Sequence, residues 1–428
     1  AKGKGIGGKI FCILICIILG VGSFYIGKVN NAFQKITGSN KKTSSMVVAV
    51  KADDNADTLS AAAGYTFGVQ YATGGDQTKS AVKQIEKELG QNITLQEYSN
   101  LGEEAQALYD GEVDAIIYNS AYSNIIQEQY STFTKDTKVI YKHNIVVEIE
   151  SDTSDESVTK PFAVYLSGID TDGDITEQGR SDVNIVAVVN PTSHQVLLIT
   201  TPRDYYVPIP GVSGGQDDKL THAGIYGVDV SMQTLEALYD TDIEFFGRVN
   251  FTSMISVVDA LGGLDVESDL EFDTGWESGA EIHVNEGMNH FDGISALAFC
   301  RERQALPDGD NGRGVHQQAV ITAIIKKMMS PAMLRGASDI IDSVSDGVDT
   351  NFTSSQIQSL IKTQLRTNAK WNIYSVAADG TGGTDICYSS GAEELYVTYP
   401  DENSVAEISE LIKKVKDGET IEGSVSTE

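Results

Sequence analysis

The stretch that most constrains the fold runs from Ser167 to Asp204, SGIDTDGDITEQGRSDVNIVAVVNPTSHQVLLITTPRD. Phe162–Leu166 just before it, and Val183–Val189 and Val196–Ile199 inside it, are short apolar runs rich in β-branched residues. Bounded by Gly, Pro and Asn, such runs are too short for buried helices and read as buried strands. Charge is confined to their ends. Asp170 and Asp172 follow the first run, Arg180 and Asp182 precede the second, and Arg203 and Asp204 follow the third. Alternation along an extended chain predicts that Arg180 and Asp182 share a face. Acids and arginines gathered at strand ends suit a phosphate-and-metal site on a rigid sheet.

The chain has 428 residues, enough for two or three domains with their own cores. Net charge is −30; residues 1–45 carry seven lysines and no acid, so the remainder carries −37. A body this acidic repels DNA and RNA and argues against a nucleic-acid partner. Its few arginines therefore gain meaning, because a cluster of them must be aimed at a local anion. Residues 6–26 are apolar enough to cross a bilayer if Lys9 reaches back to the interface. We expect a transmembrane helix there, within an anchor at 1–28; the alternative is a cleaved signal peptide. Of the four cysteines, Cys12 and Cys16 lie in that run. Cys300 and Cys387 form no disulfide or zinc pattern, and two separate buried thiols are expected.

A polar stalk is expected at 29–45. Residues 46–150 read as a small accessory α/β domain with strands at Tyr65–Tyr71, Ile93–Tyr98 and Val113–Tyr118 and helices at Thr78–Leu89 and Leu101–Tyr109. The segments GVQYATGGDQ and ALYDGEVDAIIYNSAY resemble part of a solute-binding-protein lobe. An acidic linker, 151–160, leads to a main domain at 161–416, and a polar, loose tail is expected at 417–428. In the main domain, Phe251, Met254, Ile255, Val258 and Leu261 form a helical stripe that reads as core. Further helices are expected at Val228–Tyr239, Ile294–Phe299, Val315–Met329, Gln356–Leu365 and Val405–Val415, and strands at Glu244–Val249 and Asn372–Val376.

A second charged cluster comprises Arg301-Glu302-Arg303, the loop DGDNGRG at Asp308–Gly314, and Gln317. Arg301 and Arg303 point the same way only if the chain is extended after Phe299. Gly309, Gly312 and Gly314 suit tight turning or close approach to a ligand, and Arg313 is expected just before a helix N-terminus. If the two clusters meet, Arg180, Arg203, Arg301, Arg303 and Arg313 converge, and their guanidinium forks fit a pyrophosphate. Asp170 and Asp182 would then hold Mg²⁺, or Mn²⁺, beside it. Singly, each of these Arg and Asp residues is better explained by a surface ion pair than by a site role. Asp170–Asp174 lacks the spacing of an EF-hand calcium loop, no histidine metal motif occurs, and His222 and His316 read as structural.

The blocks FAVYLSGIDTDG, GRSDVNIVAVVNP, LLITTPRDYYVPIPG, DKLTHAGIYG, VNFTSMISVVDALGGLDV and FCRERQALPDGDNGRGVHQQAVITAI resemble, in order and spacing, the LytR-CpsA-Psr family across Phe162–Met329. The likeness is greatest to its streptococcal capsule-attaching members, which also carry an accessory domain. The resemblance implies an α/β/α sandwich enclosing an apolar tunnel for a lipid tail. It also implies transfer of a glycopolymer from a polyprenyl-pyrophosphate carrier to peptidoglycan, by a membrane-anchored protein with its catalytic domain outside the cell membrane. By position, Asp170 and Asp182 would bind metal, and Arg180, Arg203, Arg301, Arg303, Arg313 and Gln317 the pyrophosphate. Asp182, Asp310, Arg301 and Arg303 would serve the chemistry, with Asp182 and Asp310 the candidate bases. Asn311 and Val315 stand where relatives often have further arginines. Tunnel-wall candidates are Phe245, Phe246, Val249, Met254, Ile255, Val258 and the Ile321–Ile325 face. The rival functions are a membrane-anchored, lipid-phosphate-binding regulator and a polyprenyl-pyrophosphate hydrolase.

Overall fold

The computed structural model describes residues 41–148, 158–169, 175, 177–307, 310–328, 347–391, 394–421 and 425–426. The expected membrane span at 6–26 lies outside them, and among the described residues no helix is long and apolar enough to cross a membrane.

Residues 41–148 form a sheet of their own. Its strands β1 (Lys41–Lys51), β2 (Thr66–Gln70), β3 (Thr94–Tyr98), β4 (Ala115–Asn119) and β5 (Thr137–Glu148) lie in the order β3-β2-β4-β1-β5. β2 runs parallel to β3 and β4, whereas β1 is antiparallel to β4 and β5. Alternation along β1 explains the two faces. Met46, Val48 and Val50 pack with Val82 and Ile85 of the helix Gly75–Leu89, while Val47 and Ala49 pack with Ala105 and Leu108 of the helix Leu101–Asp110.

Two boundaries differ from expectation. Lys41–Ser45, assigned to the stalk, belongs to β1 and pairs with Asn144–Glu148. These residues lack the hydrophobicity of a strand; partner hydrogen bonds, and the burial of Thr43, Ser44 and Ser45, hold them extended. The tail is likewise anchored. Ile421 fills the main core, and Val425–Ser426 pairs with Asn372–Ile373, covering an otherwise open sheet edge.

The main domain is built on a seven-stranded sheet. β6 (Phe162–Ile169), β7 (Ser181–Asn190) and β8 (Gln195–Thr200) form its antiparallel centre. The strand Phe245–Asn250 joins β6 in parallel, and Asn372–Ala377 joins β8 in parallel. Every residue of β8 is buried, as a strand covered on both faces requires. One face, with Tyr165, Val186 and Leu197, packs under the helices Val228–Tyr239 and Glu402–Asp417. The other, with Val164, Ile185 and Leu198, packs under Asp310–Met328 and Ser354–Thr367. The result is the expected α/β/α layering.

The sheet also buries an ion pair. Arg248 and Asp349 are register partners on adjacent strands, 2.6 Å apart and 2 % and 0 % exposed. Breaking such a pair strands a charge in the interior. Arg248→Ala should therefore cost about 3–5 kcal/mol in urea unfolding, whereas replacing both partners with apolar residues should cost far less.

Candidate functional site

The ends of β6, β7 and β8 meet at one edge of the sheet, because Ile169 pairs with Ser181 and Thr200 with Ile185. The ladder between β6 and β7 slips there: Gly168 faces Val183 and Ile169 faces Ser181, so Asp182 is an extra, bulged residue. Simple alternation would have fixed the direction of Asp182; the bulge re-aims it. Its Oδ1 accepts from Arg203 Nη1 at 3.0 Å and from Thr221 Oγ1 at 3.5 Å. Arg203 Nε lies 3.5 Å from Asp204, which Lys219 approaches at 3.6 Å. Thr221 and Lys219, from the segment DKLTHAG, were not singled out in the sequence, where nothing marks them as neighbours of Asp182.

The second cluster comes to the same place. The helix Gly293–Arg301 ends at Arg301, and Glu302 is extended (φ −62°, ψ 134°). This is the extension expected near Phe299, two residues further on, and Arg301 and Arg303 both line the cavity. Arg313 does not precede its helix; it lies inside the first turns of Asp310–Met328. Gly312 and Gly314 are helical too, so they serve close packing: a Cβ on Gly314 would stand 3.2 Å from Thr200. Arg313 and Gln317, four residues apart, share a face.

Arg180, Asp182, Arg203, Arg301, Arg303, Arg313 and Gln317 thus line a single cavity of about 670 Å³. Among the described residues, five arginines and three acids, Asp182, Glu277 and Glu302, line it. Asp170 lies outside the described residues, as does the side chain of Asp310, which opens its helix. The rest of the wall is apolar. Beyond Arg313 and Gln317 the same helix presents Val320, Ile321, Ile324, Ile325 and Met328 to the cavity. Of the expected wall residues, Phe246, Val249 and Met254 also line it. Phe245 and Val258 are core instead, Phe245 stacking on Phe352 at 4.0 Å. Ile255 is absent from the wall; its backbone meets Gly293.

Glu302 was missed. It is 2 % exposed and accepts from the backbone N–H groups of Gly275, Arg303, Gln304 and Ala305 and from Ser278 Oγ, all at 2.8–2.9 Å. The sequence marked it only as the acid between two arginines, and nothing local there encodes the turn of N–H donors that it binds. His222 and His316 are structural, as read. His222 bonds Asp218 at 2.7 Å in full burial, and His316 stacks on Phe299 at 3.9 Å, burial lowering its pKa. Cys300 and Cys387 are separate buried thiols, and burial pushes Cys300 up to about 12.

The LytR_cpsA_psr family matches residues 116–414. The chain belongs to that family. It is 33% identical over 253 residues to the Bacillus cereus (strain AH820) polyisoprenyl-teichoic acid–peptidoglycan teichoic acid transferase TagU, covering 59% of this chain and 77% of that protein. The TagU of Enterococcus faecalis is 36% identical over 203 residues, 47% of this chain and 65% of its own length. Among solved structures, Bacillus subtilis TagV superposes with a TM-score of 0.52 at 25% identity, over 61% of this chain and 99% of that one. A Streptococcus agalactiae protein gives 0.53 at 25% identity, over 64% and 94%.

Burial raises the pKa of Glu302, but the hydrogen bonds from Ala305, Gly275, Ser278 and Gln304 outweigh it, and the net shift is downward. A lowered folded pKa stabilises above the unfolded value and is lost as pH falls through the folded one. Glu302→Gln should cost about 1–3 kcal/mol at pH 7. In urea melts its gap from wild type should narrow as the pH drops below 4, near and beneath the ordinary Glu value.

Proposed function

We propose that this protein transfers a glycopolymer, of capsular or teichoic-acid type, from a polyprenyl-pyrophosphate carrier to peptidoglycan, outside the membrane that anchors it. The observation that carries this reading is the two-sided cavity. One helix face passes from Arg313 and Gln317 to an apolar stripe ending at Met328, a run of about 22 Å. A ligand with a doubly charged phosphate head and a hydrocarbon tail matches both ends. The names of the related TagU proteins point to the same class of substrate.

In this reading a peptidoglycan sugar hydroxyl attacks the phosphorus attached to the glycan. The new P–O bond forms as the bridging P–O bond breaks, and polyprenyl phosphate leaves. The hydroxyl proton passes to a carboxylate at the polar end, with Asp182 and Asp310 the candidates. The arginines hold the phosphate oxygens as charge spreads over them. Bidentate forks suit this work, since they stay charged and geometrically fixed.

For a metal, the donor chemistry of Asp182 fits. A carboxylate at the cavity's polar end, beside where phosphate oxygens would lie, is what Mg²⁺ takes. Asp182, with Asp170, would hold Mg²⁺ or Mn²⁺. When bound, the ion supplies charge neutralisation at the phosphates.

The test is purified full-length protein with carrier-linked glycan, with and without peptidoglycan oligomers and Mg²⁺. Joined product only when acceptor is present supports transfer. Release of glycan phosphate without acceptor would make the protein a hydrolase, and binding without turnover a regulator. Arg301→Ala should weaken carrier binding by about 1.5–3 kcal/mol, roughly ten- to a hundredfold. Arg301→Lys should recover little of it, because a point charge cannot make the fork. Equal affinity in all three proteins, with a lower melting point for the Ala variant, would reduce Arg301 to an ion-pair residue.

A further inference from the structure

The segment that leads into β7 is held by the accessory domain. Gln178 is 6 % exposed, and its backbone N–H donates to the Thr43 carbonyl at 3.1 Å. Its Oε1 accepts from Ser44 Oγ at 2.6 Å and from Asn119 Nδ2 at 3.2 Å. Glu177 forms a parallel bridge with Thr43, and its carboxylate takes Lys142 Nζ at 2.7 Å. These contacts come from β1, β4 and β5, three separate strands of the other sheet. Gly224 also presses on the chain, so closely that a Cβ there would meet the Gly179 carbonyl at 2.6 Å and Ser181 N at 2.9 Å.

Arg180 and Asp182 therefore emerge from a segment held by these contacts, two and four residues beyond Gln178. A cavity side chain two residues from a buried anchor inherits that anchor's position; release of the anchor lets the guanidinium wander and costs affinity. The main sheet has its own core, while one face of the accessory sheet also takes in Ile225 of the main domain, with Tyr226 packed against it.

We propose that the accessory domain sets the position of Arg180 in the cavity, with Gln178 as the positioning residue and Ser44 and Asn119 as its holders. This rests on the pyrophosphate reading above.

The experiment measures binding of geranylgeranyl pyrophosphate to the full chain in detergent by calorimetry. The proteins are wild type, Ser44→Ala, Gln178→Met, Arg180→Ala, and each clamp variant combined with Arg180→Ala. Ser44 lies in the accessory domain and does not line the cavity. Its loss should nonetheless weaken binding about three- to tenfold, as should Gln178→Met. With Arg180 already removed, neither change should weaken binding further, whereas a general loss of structure would add its full cost again. Ser44→Ala remains informative if Gln178→Met fails to fold. Clamp variants that bind like wild type, or losses that simply add to that of Arg180→Ala, overturn the proposal. If wild type and Arg180→Ala differ as expected and the clamp variants do not, only this inference falls. If wild type binds no pyrophosphate, the functional reading falls and takes the inference with it.

Discussion

The polar end of the cavity depends on the hydroxyl of Ser181. It lies 2.7 Å from both Tyr165 Oη and Ser167 Oγ, while Tyr165 donates to Asn184 Oδ1 at 2.6 Å. All four side chains are buried. A buried hydroxyl without these partners would cost more than the network gains, so the four hold one another in a single arrangement. Ser181 thus turns inward beside Asn184. The ladder absorbs this by the bulge that leaves Asp182 over, and Asp182 reaches Arg203.

Much of this was legible in the sequence. The three central strands, the confinement of charge to their ends, and the helices of both domains follow from periodicity and turn residues, because these features act locally. That Arg180, Arg203, Arg301, Arg303 and Arg313 meet was a conditional expectation from residue type, with Gln317 added by the family resemblance, and it required the sheet to bring residues over a hundred positions apart to one edge. What escaped is what only tertiary context decides. Lys41–Ser45 is extended because β5 and the main domain supply its partners, not because its own residues favour a strand. Arg248 is a lone charge in an apolar strand, and its pairing with Asp349 follows from a register no local pattern encodes. Val425 joins the sheet because an edge was open to it.

The distribution of charge poses a last physical question: how a chain of net charge −30 collects an anion. Its overall field opposes approach, but ions screen that field over about 8 Å at physiological salt. Among the described residues, five arginines and three acids line the cavity. One of those carboxylates, Glu302, is sheathed by five hydrogen-bond donors. Those bonds hold the turn that carries Arg303. A second, Asp182, is shared with Arg203. The helix Asp310–Met328 adds to the imbalance, since its N-terminal end, the positive end of its dipole, lies at the arginine side. Its apolar length repels nothing and attracts hydrocarbon. The cavity thus sets an apolar wall along the helix against an arginine-lined end.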